Sequence, residues 1–228
     1  MFTTAVYAPP TLSDDSPSFC VGPTAPLGSR GDEVGFAWDR LDAKIPLIYM
    51  SLGSQNFSHT NLFSCVVDAL ASELESGQVQ LVLALHDLLD SAFAHSLPAG
   101  VIPLRYAPQL ALLERAALVV SHGGANTVME TLHQGVPLLL MPLLNDQHLQ
   151  AKFLERSGAG IVLNPTTTTK ASCRAAIGAL LAPANPYRGK AIEIGQSYRA
   201  HNGAKESARL IVDLATRKKP LLPGGFLS

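Results

Sequence analysis

The chain has 228 residues, of which 47% are hydrophobic and 15% charged, and its formal net charge is −1. This length and composition suit a packed core in one large or two small domains, and the near-zero charge excludes the basic surface on which nucleic-acid binding depends. The three cysteines lie far apart in the sequence and predict neither a disulfide framework nor a zinc site. The N-terminus does not resemble a signal peptide and the longest apolar run is too short to span a bilayer, so we expect a cytoplasmic protein, with peripheral membrane contact left open.

The hydrophobic pattern predicts an irregular start followed by alternating strands and helices. Residues 1–44 are rich in Pro, Gly, Ser and Asp and predict a linker or a remnant of a preceding domain, with one short strand at 19–23, whereas residues 45–228 predict one domain. In chain order the pattern predicts a strand that ends in a turn at 46–54, a helix at 58–76 capped by Ser58, strands at 78–85 and 101–107, a short helix at 108–115 and a strand at 117–122. It then predicts a helix at 125–134, a strand at 137–142, a helix at 146–157, a strand at 158–163 and helices from 168 to about 217, with breaks near 183–186 and 203.

Buried strands that alternate with helices predict an α/β fold, a Rossmann-like doubly wound parallel sheet of about six strands. In such sheets ligands bind beyond the carboxyl ends of the strands. Four polar clusters follow predicted strands, at residues 51–54, 106–109, 121–127 and 145–147. The sequence therefore predicts a binding site built from these four clusters.

The segment 121–127 has the features of a phosphate site. Gly123 and Gly124 allow a ligand to approach the backbone closely, and the helix that follows offers unpaired N–H groups and partial positive charge at its start. Asn126 and Thr127 add side-chain donors, and His122 adds another that can carry charge beside a diphosphate.

Glu130, one turn further along, predicts a different contact, because a carboxylate can accept hydrogen bonds from a pair of sugar hydroxyls. Structural alternatives remain open for several of these residues. The two glycines could serve only the turn, Asn126 or Thr127 could be a helix N-cap, and residues 146–147 could do no more than begin a helix. The G-x-G-x-x-G motif after the first strand and the lysine of a P-loop are both absent.

The combination of motifs is more specific than any one of them. The segment YAPQLALLERAALVVSHGGANTVMETLHQGVPLLLMPLLNDQHLQA, residues 106–151, resembles the nucleotide-sugar signature of family 1 glycosyltransferases, the UDP-glycosyltransferase superfamily. The segment is most similar to bacterial members such as carotenoid glucosyltransferases. This resemblance implies the C-terminal, donor-binding domain of the two-domain GT-B fold, which takes a UDP- or TDP-hexose as donor substrate.

The resemblance also implies a role for each matching residue. The ring of Tyr106 would stack on the base, the backbone of Ala107 would meet the base, Gln109 would lie near the base or ribose, and Glu130 would accept from the ribose hydroxyls. The remaining positions are those near the phosphates and the transferred sugar. The diphosphate would meet His122, Gly123, Gly124, Asn126 and Thr127; the sugar hydroxyls would meet Asp146 and Gln147; and Ser54 would face the phosphates or the acceptor.

Enzymes of this family carry their catalytic histidine in a separate N-terminal acceptor domain, and this chain shows one strand–helix series. We therefore expect no catalytic residue, no metal and no cofactor here, and an acceptor-binding half supplied in cis or in trans. The chain would be a subunit of a split enzyme, a fragment of a longer product, or a non-catalytic sugar-nucleotide-binding or regulatory module. A sugar-nucleotide epimerase of the same architecture is a further alternative, which the Tyr-Ala-Pro-Gln motif disfavours.

Overall fold

The computed structural model describes residues 3–4, 6–8, 19–24, 34–53 and 59–217. Within these residues six strands form one parallel sheet, in the order β3-β2-β1-β4-β5-β6. The strands are β1 (Leu47–Ser51), β2 (Gln80–Ala84), β3 (Val101–Leu104), β4 (Ala116–Ser121), β5 (Leu138–Leu140) and β6 (Gly160–Val162). The predicted α/β fold with a doubly wound parallel sheet is confirmed.

Nine α-helices connect or follow these strands in the part of the chain that is described. They are α1 (Thr60–Ala69), α2 (Ala71–Glu75), α3 (Ala92–His95), α4 (Gln109–Leu113), α5 (Ala125–His133), α6 (Gln147–Ser157), α7 (Lys170–Leu181), α8 (Pro186–Arg199) and α9 (Gly203–Arg217). Short 3₁₀ turns cover Trp38–Arg40 and His86–Asp90. None of the described helices combines the length and the apolar character needed to cross a membrane.

Helices cover both faces of the sheet, which is why every residue of β1 is buried. Successive side chains of a strand point to opposite faces, so Tyr49 packs with α4, α5, α6 and α8, while Ile48 and Met50 pack with α1, α2, α3 and α7. On the second face, the Cys65 Sγ of α1 lies 3.3 Å from the Cys173 Sγ of α7, although the two cysteines are remote in sequence. The cysteines are free thiols.

Two of the predicted elements differ from the structure. The helix predicted at 58–76 begins at Thr60 and is interrupted at Leu70, where the backbone leaves helical geometry; its predicted cap, Ser58, lies outside the described residues. The strand predicted at 19–23 is wrong, because these residues form no sheet pairing. Gly22 has a φ of +86° and is followed by proline, which has no N–H for a strand ladder.

The first residues of the chain contact the domain directly. The ring of Tyr7 packs edge-on against Phe153, with centroids 5.9 Å apart, and the Tyr7 hydroxyl donates to the Gln150 carbonyl oxygen at 3.0 Å. These contacts attach the N-terminal segment to α6. The division into a linker at 1–44 and a donor domain at 45–228 stays a prediction.

Candidate functional site

The order of the strands places the candidate site at one edge of the sheet. The chain adds β2 and β3 on one side of β1 and then β4, β5 and β6 on the other side, so the order of the strands reverses between β1 and β4. The last residues of these two parallel strands, Ser51 and Ser121, lie side by side. Ligands bind at this switch point in doubly wound sheets. Both strands end in turns that need glycine, since φ is +76° at Gly53 and +91° at Gly123.

The imidazole of His122 lies between two glycines, and it is only 8% exposed. A Cβ atom at Gly53 would lie 2.8 Å from Nε2 of His122, and a Cβ atom at Gly124 would lie 2.8 Å from the same nitrogen. Real Cβ atoms do not approach so closely. The two glycines therefore leave the space that the Nε2 edge of the ring requires, a packing reason beyond the needs of the turns.

Burial lowers the pKa of His122, although the backbone of Ser51 and the carboxylate of Asp146 both favour its charged form. The neutral ring then carries one proton. Ser121 Oγ accepts from the Gly123 N–H at 3.2 Å and lies 3.3 Å from His122 Nδ1. A serine that accepts from the backbone can donate its own proton to Nδ1, which favours the tautomer with the ring proton on Nε2, and the Ser51 backbone is a further hydrogen-bond partner of the ring. This tautomer presents a donor beside the two glycines.

The start of α5 has the geometry of an anion site. Gly124 is the N-cap residue and no side chain caps the helix, so the alternative in which Asn126 or Thr127 is the N-cap is not what the structure shows. Asn126 is exposed and Thr127 half-buried in the first turn. The first N–H groups of the helix and these two side chains lie directly after His122, where a phosphate would gain from both the donors and the helix dipole.

Gln109 and Glu130, which are remote in sequence, are joined by a hydrogen bond. Gln109 Nε2 donates to Glu130 Oε2 at 2.6 Å, and the Tyr49 hydroxyl donates to Gln109 Oε1 at 3.1 Å. Glu130 is 1% exposed. The sequence predicted Gln109 and Glu130 as site residues but missed Tyr49, for which a tyrosine within an aliphatic strand was the available signal, since a buried hydroxyl needs a partner.

Tyr106 and Ala107 follow β3, at the far side of the same sheet edge. The Tyr106 ring is 58% exposed and meets the His86 ring edge-on at a centroid distance of 5.3 Å. Ala107 is half-buried and its carbonyl oxygen accepts from the Gln109 N–H at 2.8 Å. An exposed ring fixed on one side by another ring is available for stacking with a ligand.

Asp146 and Gln147 lie at the start of α6, after β5, and their environments differ. Asp146 is exposed and occupies the N-cap position, but its side chain makes no capping hydrogen bond. Gln147 is buried, and its Oε1 accepts from the N–H groups of Leu143 and Leu144 at 2.7 and 2.9 Å. The Gln147 oxygen therefore holds the preceding loop, and only its NH₂ group is left for a ligand.

One predicted site residue, Ser54, is not among the described residues, so its role stays a prediction. A cavity of about 220 Å³ lies between α5, α6 and the N-terminal segment, and Asn126 is the single predicted site residue in its wall. The predicted site is thus the open surface at the strand ends rather than this cavity. Over the described parts of the chain, no cluster of three His, Cys, Asp or Glu residues could hold a metal ion.

Comparison with known proteins indicates the family of the chain. The C-terminal domain of erythromycin biosynthesis protein CIII-like proteins matches residues 70–214, which include every site residue that the sequence predicted and the structure describes. The uncharacterized UDP-glucosyltransferase YojK of Bacillus subtilis (strain 168) is 29% identical over 198 residues, 87% of this chain and 47% of YojK.

Solved structures with the same architecture include two glycosyltransferases. The glycotransferase of kitacinnamycin superimposes with a TM-score of 0.71 at 28% identity, over 84% of this chain and 47% of that protein. The fold of glycosyltransferase VinC, solved in complex with DTDP, gives a TM-score of 0.68 at 24% identity, over 81% of this chain and 45% of VinC. The chain spans about half the length of these proteins. Its sequence motifs, its strand-end site and its match to the CIII-like C-terminal domain together show that the chain belongs to the family 1 glycosyltransferases.

Proposed function

We propose that this chain binds a UDP- or TDP-hexose and presents it for inverting transfer of the hexose to a hydroxyl acceptor. The base and the acceptor site would be supplied by an N-terminal acceptor-binding half, in cis or in trans. The proposal rests mainly on the order of the candidate groups along the sheet edge.

That order matches the order of the parts of a nucleotide sugar. An exposed ring follows β3, the Gln109–Glu130 pair and the His122 turn lie near β1 and β4, and Asp146 follows β5. Neighbouring strands are about 4.8 Å apart, so β3 and β4 are separated by roughly 14 Å. A donor laid across the strand ends would place its base by Tyr106, its ribose by Glu130, its diphosphate by His122 and its hexose by Asp146.

The diphosphate contact is also the catalytic contribution of this half. In hexose transfer the bond to the diphosphate breaks and negative charge grows on the leaving phosphate. The Nε2–H group of His122 and the uncapped start of α5 are donors fixed in advance toward that charge, and such preorganised donors stabilise a transition state more than a ground state. VinC, of similar fold, was solved with DTDP, which supports a nucleoside diphosphate as the ligand.

Titration calorimetry of the purified chain tests the proposal directly. We expect each of UDP, TDP and their hexose conjugates to bind as tightly in EDTA as in Mg²⁺, because the hydrogen-bond donors to the diphosphate are protein groups. His122→Ala should weaken UDP binding by about 10- to 150-fold, the value of a hydrogen bond to a charged group.

Uridine and His148→Ala serve as the ligand and protein controls, since uridine lacks the diphosphate and His148 is an exposed residue of α6. Failure of the wild-type chain to bind any of these nucleotides would overturn the donor role. A strict requirement for Mg²⁺ would overturn the metal-free site while leaving the donor role in place.

A further inference from the structure

Three side chains from three elements form a continuous hydrogen-bond chain beneath the candidate site. Tyr49 of β1 donates its hydroxyl to Gln109 Oε1 of α4 at 3.1 Å, and Gln109 Nε2 donates to Glu130 Oε2 of α5 at 2.6 Å. Tyr49 is 1% exposed, and so is Glu130. The Tyr49 hydroxyl is engaged by Gln109, so Tyr49 acts on the candidate site through Gln109.

The direction of this chain is determined at both ends. A carboxylate oxygen accepts hydrogen bonds, so the NH₂ group of Gln109 must face Glu130, and the amide oxygen must then face a donor. Burial raises the pKa of Tyr49 well above its usual range, so its hydroxyl keeps its proton and remains that donor. With both ends matched, the Gln109 amide has one favourable orientation, and its NH₂ group holds the Oε2 atom of Glu130.

We propose that Tyr49 is a positioning residue which, through Gln109, orients the Glu130 carboxylate toward the ribose of the donor and so sets the preference for ribonucleotides over 2′-deoxyribonucleotides. This inference rests on the proposed function with UDP as the nucleotide of the donor, because TDP is itself a 2′-deoxyribonucleotide. A carboxylate accepts from both the 2′- and the 3′-hydroxyl only when its plane is correctly turned, whereas a 2′-deoxyribose offers a single hydroxyl and depends less on that orientation. Removal of the Tyr49 hydroxyl leaves Gln109 Oε1 without its donor and frees the amide to rotate.

The test compares three ligands that share the phosphate groups. Tyr49→Phe keeps the ring in the core and removes only the hydroxyl. We expect it to weaken UDP binding by about three- to tenfold, the range of one ordinary hydrogen bond, to weaken 2′-deoxy-UDP binding by less than about twofold, and to leave inorganic diphosphate unchanged. The preference for UDP over 2′-deoxy-UDP is therefore smaller in Tyr49→Phe than in the wild type. A residue with only a core-packing role would weaken all three ligands together.

Tyr198→Phe is the matched control. Tyr198 is also 1% exposed, and its hydroxyl lies 2.9 Å from Thr3 Oγ1 rather than in this hydrogen-bond chain, so this variant should match the wild type with all three ligands. Gln109→Leu is a second test, because it should also reduce the preference for UDP over 2′-deoxy-UDP. If Tyr49 acts through Gln109, addition of Tyr49→Phe to Gln109→Leu should cause no further change in this preference.

Each outcome decides between the two proposals. A wild-type chain that binds neither UDP nor inorganic diphosphate overturns the proposed function and the role of Tyr49 with it. A wild-type chain that binds UDP, while Tyr49→Phe leaves the ratio of UDP to 2′-deoxy-UDP affinity unchanged, overturns only the positioning role. Additive effects of Tyr49→Phe and Gln109→Leu would also contradict it.

Discussion

At the scale of single residues, the position of the His122 ring depends on the absence of two neighbouring side chains. Gly53 and Gly124 both lie against Nε2, but they differ in backbone conformation. Gly53 has a φ of +76°, which a side chain would strain, whereas Gly124 has φ −58° and ψ 134°, which alanine adopts freely. Substitution of Gly124 by alanine therefore tests the steric effect on the His122 ring without adding backbone strain.

We expect Gly124→Ala to displace the His122 ring and to weaken UDP binding nearly as much as His122→Ala does. The new Cβ atom would lie 2.8 Å from Nε2, so the ring must move out of its donor position. The loss should approach the value of a hydrogen bond to a charged group, about 10-fold or more. Calorimetry of the two single variants and of the double variant measures it, and the double variant should bind no more weakly than His122→Ala.

Gly178→Ala is the control for this substitution, because a Cβ atom at Gly178 of α7 meets nothing within 4 Å. Both alanine variants should unfold at temperatures close to that of the wild type. UDP affinity of Gly124→Ala equal to that of the wild type would mean that the ring position is not set by this glycine.

At the scale of elements, the crossing of α5 and α8 depends on the small size of one residue, Gly195. A Cβ atom at Gly195 of α8 would lie 2.6 Å from the Leu132 carbonyl oxygen and 2.9 Å from that of His133. These atoms belong to the backbone of α5, so relief requires the two helices to separate. Gly189, in the same helix, is exposed and a Cβ atom there meets nothing within 4 Å.

This difference predicts opposite effects for the same substitution in one helix. Gly195→Ala should lower the free energy of unfolding by about 1–3 kcal/mol, as overpacking does. Gly189→Ala should raise it by about 0.5–1 kcal/mol, because alanine favours a helix. Urea unfolding of both variants measures the changes. Stabilisation by Gly195→Ala would show that the two helices do not approach each other this closely.

Local sequence patterns were enough to predict the strands but not every feature of the helices. All six strands were predicted within a few residues, because an apolar run bounded by turn residues is a local signal. The break at Leu70 was not predicted, since Leu70 and Leu74 are both buried and continue the helical spacing without a glycine or proline. The four-residue helix Ala92–His95 is shorter than the window in which such spacing can be recognised.

The strand order and the contacts among the site residues could not be predicted, because they depend on segments that are far apart in the chain. The sequence predicted a parallel sheet, but the order of its strands depends on pairing between segments far apart in the chain. In the same way, the motifs predicted Gln109 and Glu130 one by one, and the hydrogen bonds from Tyr49 through Gln109 to Glu130 became visible only when β1, α4 and α5 were placed together. The packing of Gly53 against His122 is of the same kind.

At the scale of the whole molecule, three partly or fully buried histidines link stability to pH. Burial lowers the pKa of His86, His122 and His133, and at His133 the charge of Arg199 lowers the pKa further. Unfolding exposes these rings, so the unfolded chain binds protons near pH 6.5, where the folded chain does not. Stability is therefore full above about pH 6.5 and decreases as the pH falls from there toward the lower folded pKa values.

We expect the free energy of unfolding to be smaller at pH 5.5 than at pH 7.5, and His133→Gln to reduce this difference. His133 Nδ1 is buried and, within the described residues, has no hydrogen-bond partner, so protonation of this ring meets both desolvation and the Arg199 charge. Urea unfolding at the two pH values measures the effect. His148→Gln, at an exposed position of α6, controls for the substitution, and equal stability of the wild type at both pH values would contradict the prediction.

Sugar transfer requires groups beyond the donor site proposed for this chain. Inverting transfer needs a base within about 2.6–3.2 Å of the acceptor hydroxyl, or one water away, and it needs the two reactants to be held together, which contributes up to roughly 7–11 kcal/mol. In the proposed division of labour, this chain supplies the donor site and the stabilisation of the leaving diphosphate. We therefore expect the purified chain to bind a UDP-hexose without transferring the sugar to an added alcohol or phenol.

Addition of a separately expressed N-terminal half from a full-length family 1 glycosyltransferase should restore transfer, and His122→Ala in this chain should abolish the restored activity, because the leaving diphosphate loses its donor. Mass spectrometry of the acceptor, with and without the added half, measures both effects. Failure of every added half to restore transfer, despite tight donor binding, would favour a non-catalytic sugar-nucleotide-binding module. Robust transfer by the chain alone would mean that one of its own residues acts as the base, since water and donor binding cannot supply the positioned proton acceptor that the reaction requires.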